Sequence, residues 1–384
     1  MFTSVKIVIF FTLLSLTFFL ILAPIYLLPV RKIECREGNI GGVKDLIIDR
    51  YSVFSGALHI HTFFSKDSKT PPSWVLSFAK KNSFDFLLFA DHNTTAVKNI
   101  VSVSDPNIEI IIGEEKSQKG KHLLLIDDEQ FISHPYLGFK DEINKYKGFE
   151  GFSLIYLIQN VGIKKILLLP SFVFGFLLKG GDIPGILYDF IVDYEDPFSI
   201  QNENFLNNLS TTVVLSVSDY HLKIMWPPMI GLPPIPLIKS LNMIVWTDNR
   251  EKNNIIQALK NGNSAVAFFE PERAKDFYFV GVKSNEIFPP SVLPTKPDEI
   301  LAFFKKEKRE RERKRKKNAV ILIETAEGGK RIKSDCFYGD AYVSFPQVQQ
   351  PKLVRAVVLK YFMKFGDILI GARRWIGTNP FYLK

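Results

Sequence analysis

The chain has 384 residues, of which 46% are hydrophobic and 23% are charged, and its mean hydropathy is +0.06. This composition excludes a disordered chain and a polytopic transporter, and the length allows one large domain or two modest ones. The net charge is +9, but residues 305–317 alone contain ten Lys or Arg and three Glu. Most of the positive charge therefore lies in one segment, and a basic surface over the whole protein is not predicted.

Residues 7–30 form a run of 24 residues without a charged side chain. As an α-helix this run would be roughly 36 Å long, enough to cross a hydrocarbon core about 30 Å thick. We therefore expect a transmembrane anchor over 1–30, a linker over 31–50 and a single-pass membrane location. A cleaved signal peptide is the alternative, but it would have a shorter apolar centre and a small-residue cleavage site. The basic residues after the run favour a cytoplasmic body, although long domains often translocate regardless of charge, so the side of the globular part is left open.

Residues 51–270 alternate short apolar runs with helical patterns, as a domain of repeating βα units does. The strand-like runs are ALHIH, FDFLLFA, IEIIIG, KILLLP and TVVLSVS, and a helix that begins near Pro72 is predicted between the first two. Catalytic groups of such domains gather where the parallel strands end. Residues 271–384 show strands without intervening helices, which predicts a small β-rich C-terminal domain.

A basic helix is predicted over 297–317, inserted into this C-terminal domain, with acidic residues in its first turn and basic residues in its last. Three roles are open for it: a solvated charged helix, a contact to anionic lipid head groups, and a contact to nucleic acid. The two cysteines, Cys35 and Cys336, lie far apart and have no partner at metal-ligand spacing. Neither a thiolate metal site nor a disulfide scaffold is indicated, and the redox compartment is left open.

Histidine and acidic residues recur at the ends of the predicted strands, although the chain has only six histidines. His59 and His61 end one strand, where alternation would point both imidazoles to one side and Ile60 to the other. His92 follows Asp91 at the end of a second strand. We expect Asp91 to orient His92 or to cap the following turn rather than to bind metal.

Two further predicted strands end in the same kinds of residue. Glu114 and Glu115 end the run IEIIIG, and Asp219 and His221 follow the run TVVLSVS. Imidazole and carboxylate are ligands of Zn, Mn and Fe, and a bridging carboxylate can hold two ions close together. Such ions lower the pKa of a bound water and neutralise charge on a phosphoryl oxygen. The pattern predicts a site for metal-assisted hydrolysis at one end of the sheet.

These segments resemble the motifs of the polymerase and histidinol phosphatase (PHP) family of metallophosphoesterases. The resemblance lies in LHIHTFFSKD at 58–67, ADHN at 90–93, GEE at 113–115 with GKH at 120–122, and SDYH at 218–221. It covers about residues 50–270 in the family's order and extends loosely to TNPFY at 378–382. The resemblance implies a distorted (β/α)7 PHP-type barrel that holds two or three divalent ions, Mn, Zn or Fe.

The resemblance also implies which residues bind these ions. One ion would be held by His59, His61, Glu115 and Asp219, a second by Asp67, His92 and His221, and a third by Glu115, His122 and one further histidine. Glu115 is preferred over Glu114 because the family spacing is Gly-x-Glu. No residue beyond the ligands is assigned to catalysis, and Glu114 and His122 are the candidates for assisting proton transfer.

The chain departs from the family pattern in two places. Leu169 stands before Pro170 where the family has a histidine, so the third ion loses a ligand. Asp67 comes one residue later than the family spacing, because Lys66 is interposed. His134 is a candidate substitute for the missing ligand, but a surface histidine in a loop is the simpler interpretation.

The sequence thus predicts a metal-dependent phosphoesterase that hydrolyses a phosphoester by metal-bound hydroxide. Its substrate would be a phosphorylated small molecule or a phosphodiester, and its membrane contact would be through the N-terminal helix and the basic helix. The alternative is a degenerate, non-catalytic barrel that binds lipid or nucleic acid, which Leu169 keeps open. The same metal chemistry also allows hydrolysis of a non-phosphate ester or amide.

Overall fold

The computed structural model describes Thr12 and residues 30–38, 40, 43–101, 104–105, 107–134, 145–153, 213–217, 241–268, 274–284, 286–290, 297–305, 318–327, 331–344, 353–361, 363–370 and 372–382. The strands of the first part are β1 Val30–Lys32, β2 Cys35–Gly38, β3 Ser52–Ile60, β4 Phe86–Phe89, β5 Ser104–Asp105, β6 Ile108–Ile112, β7 Glu114–Gln118, β8 Lys121–Ile126, β9 Glu129–Ser133, β10 Gly148–Ser153, β11 Val213–Val217 and β12 Leu241–Thr247. Those of the second part are β13 Ser264–Phe268, β14 Phe277–Lys283, β15 Glu286–Phe288, β16 Glu299–Phe304, β17 Ala319–Glu327, β18 Arg331–Gly339, β19 Ala341–Ser344, β20 Leu353–Lys360, β21 Met363–Phe365, β22 Ile368–Ile370, β23 Arg373–Thr378 and β24 Phe381–Tyr382. The helices are α1 Val43–Arg50, α2 Pro72–Lys81, α3 Lys252–Asn261 and a 3₁₀ turn at Ala96–Asn99.

A mixed sheet of twelve strands runs through the described part of the chain, in the order β2-β18-β17-β20-β23-β13-β12-β3-β4-β6-β5, with β24 paired to β20. A second sheet of five strands has the order β11-β10-β9-β8-β7, a third of four strands the order β15-β14-β16-β19, and a fourth of three strands the order β1-β22-β21. The first sheet crosses the predicted domain boundary at residue 270, because β13 pairs with β23. The predicted domain division is therefore not marked by a break in strand pairing.

The predicted (β/α)7 barrel is wrong. Such a barrel needs a helix after each parallel strand, and among the described residues only β3, α2 and β4 follow that pattern, with β6 extending the parallel set. From β7 to β9 the strands instead follow one another through short turns and pair antiparallel. The result is a set of mixed sheets rather than a closed ring of parallel strands.

Turn residues explain the antiparallel arrangement of β7, β8 and β9. Lys119 and Gly120 both have positive φ, at 49° and 77°, as the two central residues of a tight type I′ hairpin require. Asp127 has φ 58° in the turn between β8 and β9, a conformation that a short polar side chain tolerates. Two tight turns close together leave no room for a crossover helix.

The central strands are buried on both faces. In β4, Phe86 and Leu88 pack with the core on the side of the five-stranded sheet and α3, whereas Leu87 and Phe89 pack against α2. This double burial explains the uninterrupted apolar run, which is typical of an inner parallel strand. The four-stranded sheet covers the α2 side further along, where it packs on residues such as Trp246 of β12.

The predicted basic helix over 297–317 is wrong in its first half. Glu299–Phe304 forms strand β16, which pairs antiparallel with β14 and with β19. Most of the apolar run ILAFF is buried between these neighbours. The helix prediction relied on the charge pattern, whereas the burial of this run favours a strand. Residues 306–317 lie outside the described part of the chain.

The predicted transmembrane anchor and membrane location are corrected as well. No helix within the described residues is long and apolar enough to span a membrane. Val30, the last residue of the apolar run, begins strand β1, which pairs with β22. The rest of the run, apart from Thr12, lies outside the described residues.

The two cysteines form a disulfide, a pairing that the sequence did not indicate. Cys35 and Cys336 are 301 residues apart, but β2 and β18 pair in parallel and place the two residues opposite each other, with a Cα–Cα distance of 4.4 Å. Separation along the chain therefore gave no indication of their separation in space. The bond joins the edge strand β2 to the rest of the twelve-stranded sheet.

We expect Gly56→Ala to destabilise the junction of β3 and β4. A Cβ at Gly56 would lie 2.4 Å from the carbonyl oxygen of Phe86 and 2.3 Å from its ring, so the backbone of a buried ladder would have to move. Such overpacking costs roughly 2 kcal/mol, measurable by urea denaturation. Ser52→Ala, at the exposed start of β3, is the control and should change stability by less than about 0.5 kcal/mol. Equal stability of the two variants would contradict the close approach of these strands.

Candidate metal centre

Five imidazoles surround the carboxylate of Glu115, which is fully buried. Their nitrogens lie between 2.9 and 3.4 Å from its oxygens: His59 Nε2 at 3.3 Å, His61 Nε2 at 3.3 Å and His92 Nδ1 at 3.0 Å from Oε2, and His122 Nδ1 at 2.9 Å and His134 Nε2 at 3.4 Å from Oε1. All five histidines of the described part of the chain therefore converge on one carboxylate.

The end of β3 delivers the first two imidazoles. The ring centroids of His59 and His61 are 4.8 Å apart, and Ile60 packs on the other side with the core under α2. His59 has φ 56°, in the left-handed region, where the register between β3 and β4 shifts. A non-glycine residue in that region costs about 1–3 kcal/mol and persists only when the surroundings hold it.

Backbone contacts between the ends of β4 and β7 bring the next two residues together. His92 and Glu115 form an isolated parallel bridge, in which Glu115 N donates to Asp91 O at 3.1 Å and Asn93 N donates to Glu115 O at 2.9 Å. Gly113 permits the close approach of β8 beside this bridge, since a Cβ there would lie 2.5 Å from the carbonyl oxygen of Leu125. The twelve-stranded and five-stranded sheets thus meet at the metal centre.

Asp67 extends the cluster on its exposed side. Its Oδ2 lies 3.0 Å from His92 Nε2. The imidazole of His92 therefore faces Glu115 with one nitrogen and Asp67 with the other. The interposed Lys66 has not moved Asp67 out of reach of the site.

Asp91 organises the loop after β3 rather than joining the ligands. It accepts hydrogen bonds from Thr62 N at 2.6 Å, Thr62 Oγ1 at 2.7 Å and Ser65 Oγ at 2.8 Å. Because Ser65 donates its only hydroxyl proton to Asp91, its oxygen accepts from His61 Nδ1 and from His92 N, each at 3.0 Å. This arrangement puts the proton of His61 on Nδ1 and leaves Nε2 as its lone-pair nitrogen.

The donor set fits a divalent ion. Three groups have one donor atom per residue, all within 4.8 Å of one another: His59, His61 and Glu115; His61, Asp67 and His92; His92, Glu115 and His122. Tetrahedral coordination with bonds of about 2.0–2.1 Å places ligand atoms roughly 3.3–3.4 Å apart. The distances from Glu115 Oε2 to the Nε2 atoms of His59 and His61 match that spacing.

The structure places most of the predicted ligands together. Glu115 lies at the centre, whereas its neighbour Glu114 is partly exposed. The predicted ligands Asp219 and His221 lie outside the described residues, as do Leu169 and Pro170. These assignments stay predictions.

Two residues of the cluster were not assigned to it from the sequence. His134 was interpreted as a surface residue, yet its side chain is only 21% exposed and reaches Glu115. Glu150 was not considered, although it is fully buried and contacts His59 Nδ1 at short distance. A glutamate within the otherwise uncharged run GFEGFS of strand β10 was the available signal, because a charged side chain in a buried strand needs a partner.

The charges of the cluster shift its pKa values strongly. Burial alone lowers the pKa of His59, but the carboxylates of Glu150 and Glu115 raise it well above the ordinary histidine value. Burial likewise raises the pKa of Glu115, and the surrounding imidazoles, His59 first, bring it far below the ordinary value. A hydrogen bond to Glu115 raises the pKa of His92. In the metal-free protein these groups form an ion-paired cluster that holds protons where a metal ion would bind.

Among the described residues, the members of the cluster differ in their exposure to solvent. The side chains of His59, His61 and Glu115 are 0% exposed, whereas those of His122 and Asp67 are 39% and 41% exposed. Solvent therefore reaches the cluster from the side of His122 and Asp67. A small molecule would approach from the same side.

We expect Glu115→Gln to lower metal content strongly. The substitution keeps the shape but removes the charge that all five imidazoles share, so the retained metal should fall at least about tenfold. Glu114→Gln, one residue away on the same strand, is the matched control and should retain wild-type metal content. Elemental analysis of both variants after dialysis against Zn²⁺ or Mn²⁺ makes the comparison. Equal metal content in both variants would exclude Glu115 as the central ligand.

We also expect metal binding to release protons. A raised pKa means that His59 and His92 of the metal-free protein hold their second proton to a higher pH than an ordinary histidine does, and metal ligands must be deprotonated. The apparent metal affinity should therefore rise with pH until the pH passes these raised values. Calorimetric titration in two buffers of different ionisation enthalpy measures the released protons. The same binding enthalpy in both buffers would show that no protons are released.

Comparisons with known proteins add little to this description. No protein-family model and no curated protein sequence matches the chain. Among solved structures, it is similar to a two-domain protein from Bacteroides vulgatus ATCC 8482 described as containing a predicted PHP-like metal-dependent phosphoesterase. The identity is 13%, the match covers 91% of this chain and 98% of that one, and the TM-score is 0.34. A similarity at this TM-score carries no conclusion about this chain.

Proposed function

We propose that the protein is a metal-dependent hydrolase that acts on phosphoesters. The observation that supports this is the convergence of five imidazoles on one fully buried carboxylate. A single imidazole beside Glu115 would be an ordinary buried ion pair. Five imidazoles cannot all be protonated in this space, since like charges at these distances repel strongly in a buried site. A divalent cation uses the same nitrogens as neutral ligands and relieves that conflict.

The shape of the cluster favours more than one ion. Oε2 of Glu115 faces His59, His61 and His92, whereas Oε1 faces His122 and His134. A carboxylate with separate sets of nitrogens on its two oxygens is suited to bridge two ions. Asp67 beside His92 adds a donor on the open side.

Bound divalent ions would act as Lewis acids that lower the pKa of water and neutralise charge on phosphoryl oxygens. The residues of the chain have separate tasks. Glu115 brings the ligands to one point, and Ser65 and Asp91 hold His61 and the loop with His92 in place. The buried side of the cluster excludes bulk water, and the substrate would enter past His122 and Asp67.

The substrate class we propose is a phosphorylated small molecule or a phosphodiester, with Mn²⁺, Zn²⁺ or Fe²⁺ as cofactor. Imidazole and carboxylate donors suit all three ions. The motifs at 58–67, 90–93 and 113–122, which resemble the PHP family, support phosphoester chemistry over other hydrolysis. Asp219 and His221 remain proposed ligands.

We expect a chelator to abolish phosphoesterase activity and Mn²⁺ to restore it. His61→Ala removes a buried ligand and should lower kcat/KM by roughly 100-fold or more, because metal assistance contributes several kcal/mol to such reactions. A panel of phosphomonoesters and phosphodiesters provides the assay, and Asp219→Asn is assayed beside it to test the ligand outside the described residues. Glu324→Gln, which breaks an ion pair with Arg355 in β20, is the control and should retain activity.

The result that would contradict this proposal is a protein with stoichiometric metal and no turnover on the whole panel. That outcome would indicate a non-catalytic metal-binding module. Turnover of carboxylic esters or amides alone would keep the metal chemistry but replace the substrate class.

A further inference from the structure

We propose that Glu150 is a positioning residue of the metal centre, which holds His59 with its Nε2 directed at the metal position. The inference rests on the proposed function, because it assigns a role toward the ion that His59 would bind. Glu150 lies in β10, 91 residues from His59 in sequence, and neither the motifs nor the three ligand groups include it. Its role follows from three contacts and from the backbone of His59.

The carboxylate of Glu150 is fully buried, and both of its oxygens accept hydrogen bonds. Oε1 accepts from His59 Nδ1 and, at 3.1 Å, from Ser133 Oγ, and Oε2 accepts from His134 N at 3.3 Å. A buried carboxylate without such donors would be costly. These contacts tie β10 to the end of β9 and to the end of β3 at a single point.

The contact with Glu150 determines which nitrogen of His59 can bind metal. A carboxylate only accepts hydrogen bonds, so Nδ1 of His59 must carry the proton that the contact uses. In the neutral imidazole that a metal ion requires, Nε2 is then the lone-pair nitrogen, and it is the atom that lies 3.3 Å from Glu115 Oε2. A carboxylate behind a histidine ligand also makes the imidazole a stronger donor to the metal.

His59 needs such support more than its neighbours do. Its φ of 56° is an unfavourable conformation for a residue with a Cβ. His61 is held from behind by Ser65, which is only four residues away. The support for His59 comes instead from Glu150 on the distant strand β10. The geometry of the metal site therefore depends on the correct packing of β10.

The packing of β10 fixes the position of Glu150. Gly148 lies in β10 two residues before it, and a Cβ at Gly148 would lie 2.1 Å from the carbonyl oxygen of Val213. The close ladder between β10 and β11 therefore requires glycine there. The register shift after Glu150 occurs in the same ladder. The backbone that carries the carboxylate is thus constrained on both sides of it.

The test is the metal affinity of Glu150→Gln. An amide can donate to Nδ1 and reverse the tautomer of His59, so Zn²⁺ affinity, measured by competition with a chromophoric chelator, should fall about 10–100-fold. The visible absorption of the Co²⁺-loaded protein should change as well, because the ligand field at His59 changes. Thermal unfolding of the metal-free variants separates this effect from a loss of stability.

Glu324→Gln is the matched control. It also removes the charge of a largely buried glutamate, one that contacts Arg355 Nη2 at 2.5 Å. It should lower the unfolding temperature without changing Zn²⁺ affinity or the Co²⁺ spectrum. Ser133→Ala removes one donor to Glu150 and should weaken Zn²⁺ binding on the order of threefold. This variant provides the test if Glu150→Gln does not fold.

The outcomes separate this inference from the proposed function. Wild-type protein that binds Zn²⁺ while Glu150→Gln binds it within twofold, with an unchanged Co²⁺ spectrum, would overturn the role of Glu150 and leave the metal centre intact. For an unfolded Glu150→Gln, unchanged affinity and spectrum in Ser133→Ala would have the same meaning. Wild-type protein that binds no metal would overturn both proposals together.

Discussion

The fully buried carboxylate of Glu115 is the constraint on which the site depends. A charge in the protein interior must be compensated, and here the compensation comes from imidazoles on β3, on the loop after β4, on β8 and on the residue after β9. Each of these segments has to end at the same point. The bridge between His92 and Glu115, which joins the ends of the two larger sheets, is the backbone counterpart of this convergence.

The buried side and the exposed side of the site differ in how their side chains are held. His59 and His61 are each fixed from behind by an acceptor, Glu150 for one and Ser65 for the other. His122 and Asp67 stay partly exposed, and their positions are set by strand and loop geometry. Under the proposed function, the buried part would set the metal geometry and the exposed part would admit a substrate.

Short sequence motifs predicted the part of the site that is formed where neighbouring parallel strands end. The parallel strands β3, β4 and β6 end at one edge of the sheet, so the residues that follow them, among them His61, His92 and Glu115, were expected to meet, and they do. The barrel was wrong because the tight turns around Gly120 and Asp127 replaced the helices that a repeating βα chain requires. The helix over 297–317 was inferred from charge, and the buried run in β16 outweighed it.

Other parts of the structure depend on strand pairings that short sequence patterns do not reveal. Glu150 reaches the site because β10 pairs in parallel with β9 and β11, and no short pattern encodes that pairing. The cysteines are a similar case, since only the pairing of β2 with β18 shows that they are neighbours.

The pairing of β13 with β23 has a consequence for how the chain can be divided. The strands after residue 270 are the lateral neighbours of the strands before it, so the backbone N–H and C=O groups along one side of β13 are hydrogen-bonded by residues near the C-terminus. A shortened chain that stops near residue 270 would leave that side of β13 open. An uncovered strand of this kind is a template for pairing with another copy of itself, which makes self-association the expected fate of the isolated N-terminal portion.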